Sequence, residues 1–192
     1  MIRPVPSCGR GANRMGGPSS SKGRVMNRLT LDREIVDRAQ ELVEKATARG
    51  VTVATAESCT AGMVASSIAG IPGASTVLRG GAVTYCDEVK HRVLGVPCEV
   101  LKEFTAVSEP CARAMAEGAR SLFDADIVVS LTGYAGPGGG TEDDPAGTVY
   151  IGVYDRGATR CVRCSFEGDR NEVRARAALF ALDELINCCS YM

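Results

Sequence analysis

Apolar positions along the chain change period several times, and each change marks an element. From Thr30 onward, Leu31, Ile35, Val36, Ala39, Leu42, Val43 and Ala46 recur at helical spacing, which predicts one buried helical face. Thr30 is suited to cap the start of this helix and Gly50 its end. "VTVAT" (51–55) then reads as a buried strand, and "TAGMVASSIAG" (60–70) as a helix packed closely through small residues. "STVLRGGAVTY" (75–85) is a strand with a glycine kink, followed by short helices over 87–96 and 98–104. Ser108 opens a longer helix, with Glu109 and Pro110 suited to its first turn. "DIVVSLTG" (126–133) is a buried strand and 134–147 a glycine-rich loop. "TVYIGVYD" and "ATRCVRCSFE" form a hairpin about Arg156–Gly157, and a long helix from "GDRNEV" closes the pattern. Helices that alternate with strands predict an α/β fold: a three-layer α/β/α domain with a mixed, mostly parallel sheet.

The first 27 residues break this pattern. They are rich in Gly, Pro, Ser and Arg and have almost no apolar periodicity, so they read as a disordered N-terminal tail ahead of a domain over 28–192. Met26, just before the first predicted helix, is an alternative translation start. A targeting peptide is the remaining reading, and the absence of an amphipathic stripe argues against it. Lys+Arg 22 against Asp+Glu 23 leaves no basic footprint for nucleic acid or an anionic membrane. No apolar run approaches the roughly 20 residues of a membrane span. Nine cysteines, an odd number without a disulfide-like framework, read as reduced thiols of a cytoplasmic protein. Cys161 and Cys164 form a C-x-x-C, but three residues apart on a strand they would face opposite ways, so no metal site is expected.

Three polar or glycine-rich turns, 56–62, 133–141 and 167–170, follow predicted strands. In open α/β sheets, ligands sit beyond the carboxyl ends of the strands. In "AESCTAG", Ser58 is placed either as a nucleophile beside the free amides of a helix start or simply as a helix cap, a role Thr60 could also take. A serine nucleophile needs a base. The candidates are His91, the only histidine, and Lys90, which could accept a proton if it lost its hydration in a cleft. Tyr85 could relay a proton or orient the lysine, and Cys59 is the rival nucleophile. The bland reading of "DEVKHR" is an exposed helical face. "LTGYAGPGGGT" can turn amides towards an anion, yet it is neither a Walker A loop nor a dinucleotide fingerprint. Arg170 and Arg174, one helical turn apart, suit a phosphate or carboxylate, or else pair with acids such as Glu172.

Five blocks occur in order: "AESCTAG", "GGAVTYCDEVKHRVLGV", "AVSEPCARAMAEGA", "LTGYAGPGGGTEDDPAGTVYIGV" and "FEGDRNEVRARAALFAL". Together they resemble the CinA C-terminal-domain family, the nicotinamide mononucleotide deamidases, from about residue 31 to 187. The resemblance implies hydrolysis of the nicotinamide mononucleotide carboxamide to nicotinic acid mononucleotide and ammonia, in pyridine-nucleotide recycling and without metal or cofactor. It further implies a homo-oligomer whose partner is a small-molecule substrate. Some members carry this domain behind a separate N-terminal domain, which residues 1–27 are too short to form. By the same resemblance Ser58 is the nucleophile and Lys90 the base, with Tyr85 near it. Thr132, Gly133, Gly136, Pro137 and Gly138 line the substrate, Arg170 and Arg174 are candidate phosphate contacts, and amides near Cys59 and Thr60 hold the oxyanion. Two positions depart from the family pattern. Ala61 replaces a glycine, which is expected to be tolerated if its φ is negative, and Tyr134 replaces an aliphatic residue beside the glycine loop. The alternatives are a non-catalytic nucleotide-binding module and an amidohydrolase of another small amide.

Overall fold

The structure, a computed structural model, describes residues 21–190. The tail expected over the N-terminal stretch falls mainly on residues 1–20, outside the described residues. Helix α1 (Ser21–Arg49) starts earlier than Thr30, which therefore lies inside the helix rather than at its cap. No glycine or proline occurs between Arg24 and Arg49, so nothing in the chain interrupts the helix there. Leu31, Ile35, Ala39, Leu42, Val43 and Ala46 form its buried face, whereas Val36 lies off that face and is exposed. Gly50, with φ 64°, follows the helix in the left-handed region, as expected of a residue just past a helix end.

The sheet holds β1 (Val53–Glu57), β2 (Leu78–Val83), β3 (Ile127–Gly133), β4 (Thr148–Asp155) and β5 (Ala158–Ser165), in the order β2-β1-β3-β4-β5. β1 pairs in parallel with both β2 and β3, while β3–β4 and β4–β5 are antiparallel. Only β4 therefore runs against the others, and the sheet is mixed as predicted. The β4–β5 hairpin turns at Arg156–Gly157.

Alternation along the strands divides the core into two. Val53 of β1 and Ile127, Val129 and Leu131 of β3 face one side, where they meet α1, α2 (Met63–Ala69) and α6 (Arg170–Ser190). Ala54, Ala56 and Val128 face the other, against α5 (Glu109–Phe123), which α3 (Asp87–Leu94) and α4 (Cys98–Glu103) adjoin. Small residues on both sides of that second interface, Ala54 and Ala56 against Ala116 and Ala119, let α5 lie close to the sheet. Ser108 caps α5, its hydroxyl accepting from the Cys111 amide at 3.3 Å. Cys164 packs on the α6 side of β5, while Cys161 senses the charges of Glu109 and Arg113 on α5, so the two thiols do lie on opposite faces.

Two elements are shorter than the sequence predicts. β2 begins at Leu78 because a 3₁₀ turn occupies Ala74–Thr76. α2 begins at Met63 because Ala61 (φ 54°) and Gly62 (φ 91°) are both left-handed, which no helix interior permits. The condition set for easy tolerance of Ala61, a negative φ, is not met: the alanine occupies a conformation that favours glycine. Ala61→Gly is expected to raise stability by about 0.5–1 kcal/mol, read as a higher urea midpoint, because relief of left-handed strain exceeds the added chain entropy. An unchanged or lower midpoint would contradict that strain.

Glu57 of β1 pairs with Val83 of β2 and Leu131 of β3. The carboxyl ends of the three parallel strands are therefore level. The segments that follow them, 58–62, 84–86 and 134–138, emerge at one edge of the sheet, where a ligand site is expected.

Candidate active site

At that edge Ser58 and Lys90 meet. Lys90 Nζ donates to Ser58 Oγ at 3.1 Å and to the Thr84 carbonyl at 2.9 Å. Ser58 follows β1, Thr84 follows β2, and Lys90 lies on the first turns of α3, which turns back across the sheet edge. Lys90 is only 1% exposed, so the reading of "DEVKHR" as a wholly exposed face fails at this residue. Among the described residues it forms no ion pair with a carboxylate. Burial pushes its ammonium below the usual lysine range, and the more distant charge of Asp87 offsets this only in part.

The only histidine does not line the cleft that holds Ser58 and Lys90. His91 Nδ1 lies 2.8 Å from the Val96 carbonyl, at the end of its own helix. Cys59 is poorly suited to act as the nucleophile, because burial pushes its thiol up to about 11. Nor does Ser58 or Thr60 cap α2. The residue before that helix is Gly62, with no side-chain cap, and the amides of Val64 and Ala65 donate instead to the Glu57 carboxylate at 3.2 and 2.9 Å. Thr55 Oγ1 completes the carboxylate's bonds at 3.1 Å. The acid of "AESC" therefore ties α2 to β1 and occupies the first amides of that helix, while the amides expected at the oxyanion, near Cys59 and Thr60, lie ahead of it. Glu57→Ala would leave these buried donors unpaired, with an expected cost of about 2–4 kcal/mol in chemical denaturation. A loss below about 1 kcal/mol would show that the tie is dispensable.

A cleft of about 200 Å³ opens over the pair, lined by Ser58, Cys59, Tyr85, Lys90, Thr132, Gly133, Tyr134, Gly138 and Arg170, with Ala106, Val107 and Ala135 completing its wall. Thr132 is fixed by donating to the Ala106 carbonyl at 2.6 Å. Gly133 is required by space, since a Cβ there would lie 2.5 Å from the Thr148 carbonyl oxygen. Arg170 spans the mouth, donating to the Gly136 carbonyl at 2.9 Å and to the Tyr85 hydroxyl at 2.7 Å. Tyr85 is more than half exposed, and its hydroxyl accepts from Arg170 rather than bonding to Lys90.

Four residues expected at the substrate are not in this wall. Gly136 contributes through its carbonyl to Arg170, and Pro137 adjoins it. Thr60 is buried. Arg174 donates to the carbonyls of Cys59 (3.1 Å) and Thr60 (2.9 Å), bracing the turn that carries Ser58. The two arginines thus have different tasks despite their i, i+4 spacing. Glu172 pairs with neither; its carboxylate accepts from the Asp169 amide at 2.7 Å, capping α6. Sequence reasoning missed Thr84, Ala106 and Val107. They lie in or beside the recognised blocks, but two of them act through backbone carbonyls, which leave no mark on residue type.

Residues 36–189 match the family model described as the CinA C-terminal domain. A "CinA-like protein" of Gemmatimonas aurantiaca is 48% identical over 149 residues, covering 78% of this chain and 35% of that protein. A "putative competence-damage inducible protein" of Clostridium perfringens is 50% identical over 135 residues, 70% of this chain and 33% of that protein. The chain thus spans only about a third of the length of these relatives. A CinA-superfamily crystal structure from Klebsiella pneumoniae superimposes with a TM-score of 0.79 at 36% identity, covering 82% of this chain and 99% of that one. Among the described residues no helix is long and apolar enough to cross a membrane. On sequence and fold together, the chain belongs to the CinA C-terminal domain family.

Proposed function

We propose that the cleft is the active site of a serine–lysine amidohydrolase that converts nicotinamide mononucleotide to nicotinic acid mononucleotide and ammonia. The observation that carries this reading is the buried Lys90 Nζ, 3.1 Å from Ser58 Oγ and without a carboxylate partner among the described residues. Such an amine is biased towards its neutral form and can take the serine proton. Ser58 Oγ then attacks the carboxamide carbon. Among the described residues, the amide of Ser58 donates to the Leu131 carbonyl and that of Ala61 to the Ser58 carbonyl, whereas those of Cys59 and Thr60 donate to no backbone carbonyl. These two remain available to the oxyanion. The C–N bond breaks, and Lys90 returns its proton to the departing ammonia. Water, deprotonated by the same amine, adds to the ester, and the Ser58–carbonyl bond breaks as Lys90 returns that proton to Ser58 Oγ, releasing the acid and restoring the pair.

The cleft is smaller than the roughly 300–1,000 Å³ usual for whole-ligand pockets. It suits the amide-bearing ring, with the ribose phosphate at the mouth near Arg170. There the phosphate would replace Tyr85 or Gly136 as the guanidinium's partner, and this remote binding holds the amide in position. The test is product analysis with purified protein. Nicotinic acid mononucleotide and ammonia in equal amounts support the reading. Tight nucleotide binding without ammonia would indicate a binding module, and ammonia only from other amides would indicate a different amidohydrolase.

A further inference from the structure

Two aromatic side chains and no carboxylate stand in the cleft wall. The hydroxyl of Tyr85 is held by Arg170. Tyr134 is fixed through its backbone on both sides: its amide donates to the Thr148 carbonyl at 2.9 Å, and its carbonyl accepts from the Gly147 amide at 2.7 Å. The glycine loop closes against its ring, since a Cβ at Gly139 would lie 3.4 Å from Tyr134 Cδ1. Tyr134 is thus a held aromatic residue in the wall of the cleft that also contains Ser58 and Lys90.

A ligand ring with a positive charge finds a guanidinium in this wall and no acid. The favourable electrostatic contact left to it is the negative face of an aromatic ring. We infer that Tyr134 is the specificity-determining residue of the cleft: its ring face receives a positively charged aromatic ring, so that the site selects cationic aromatic carboxamides over neutral ones. This rests on the reading of the cleft as a site for nicotinamide mononucleotide, whose pyridinium is cationic and whose phosphate is anionic. Opposite charges on the substrate are then met separately, the phosphate by Arg170 and the ring by Tyr134.

Dissociation constants measured by calorimetry on Ser58→Ala protein, which lacks the reacting hydroxyl, test this without turnover. The two ligands are nicotinamide mononucleotide and its reduced dihydropyridine form, which keeps the carboxamide and ribose phosphate but has a neutral ring. The oxidised form is expected to bind roughly five- to thirty-fold more tightly, and Tyr134→Phe in the same background keeps that preference. Tyr134→Leu is expected to reduce it to about two-fold or less. The same preference with leucine as with tyrosine overturns the inference. So does the absence of any preference while Tyr134 is present, a result that does not depend on the leucine variant folding. The two readings fail separately: product analysis with unaltered protein reads the deamidase, and the ratio of dissociation constants reads the role of Tyr134.

Discussion

Ser58→Ala should lower ammonia release from nicotinamide mononucleotide by roughly 10³-fold or more while leaving the fold intact. The two halves of this expectation come from different contacts. The hydroxyl is the only group of Ser58 placed to attack, and Cys59 beside it carries a thiol that burial pushes up to about 11. Little structure depends on the hydroxyl, because Lys90 keeps its bond to the Thr84 carbonyl at 2.9 Å. One lost hydrogen bond at this position should cost about 1 kcal/mol. A variant that unfolds at the wild-type midpoint and releases no ammonia fits the account. One that retains more than about a tenth of the wild-type rate would move the chemistry to direct attack by water.

The second large effect concerns Lys90 and pH. The amine acts as a base only when neutral, so activity should fall as pH drops through its native pKa, which burial holds below the usual lysine range. Lys90→Arg keeps a cation at every accessible pH and is expected to be inactive throughout, without recovery in alkali. Stability should carry the same signature. The unfolded lysine titrates near its ordinary value of about 10.4. Between the depressed native pKa and that value, the unfolded chain binds more protons, so stability increases with pH. The contribution is complete above the unfolded pKa and is lost as pH falls through the native one. Urea midpoints of the wild type should therefore gain on those of Lys90→Met as pH rises towards 10. Parallel curves for the two proteins would mean that Lys90 titrates normally and cannot serve as proposed.

Much of the scaffold was legible because the residues that build it are local in sequence. The apolar runs 51–55 and 126–133 overlap the central strands β1 and β3, the hairpin announces itself at Arg156–Gly157, and Ser108, Glu109 and Pro110 mark a helix start. The meeting of Ser58 and Lys90 was legible, and what holds them was less so. Glu57 reaches seven and eight residues forward to Val64 and Ala65, and that connection depends on where α2 begins. The start of α2 depends in turn on the left-handed φ of Ala61, which composition does not encode. Arg170 and Arg174 looked equivalent because they share a helical face. Only the position of the 58–62 turn, brought close by tertiary packing, commits Arg174 to backbone carbonyls and leaves Arg170 at the cleft mouth.

The most direct measurement is to locate the acyl group. Protein mixed with nicotinamide mononucleotide, quenched in acid during the first turnovers and digested, can be mapped by peptide mass spectrometry. The account predicts an acyl adduct on the Ser58 oxygen, formed with release of one ammonia and absent from Ser58→Ala protein. An adduct on the Cys59 thiol would contradict it.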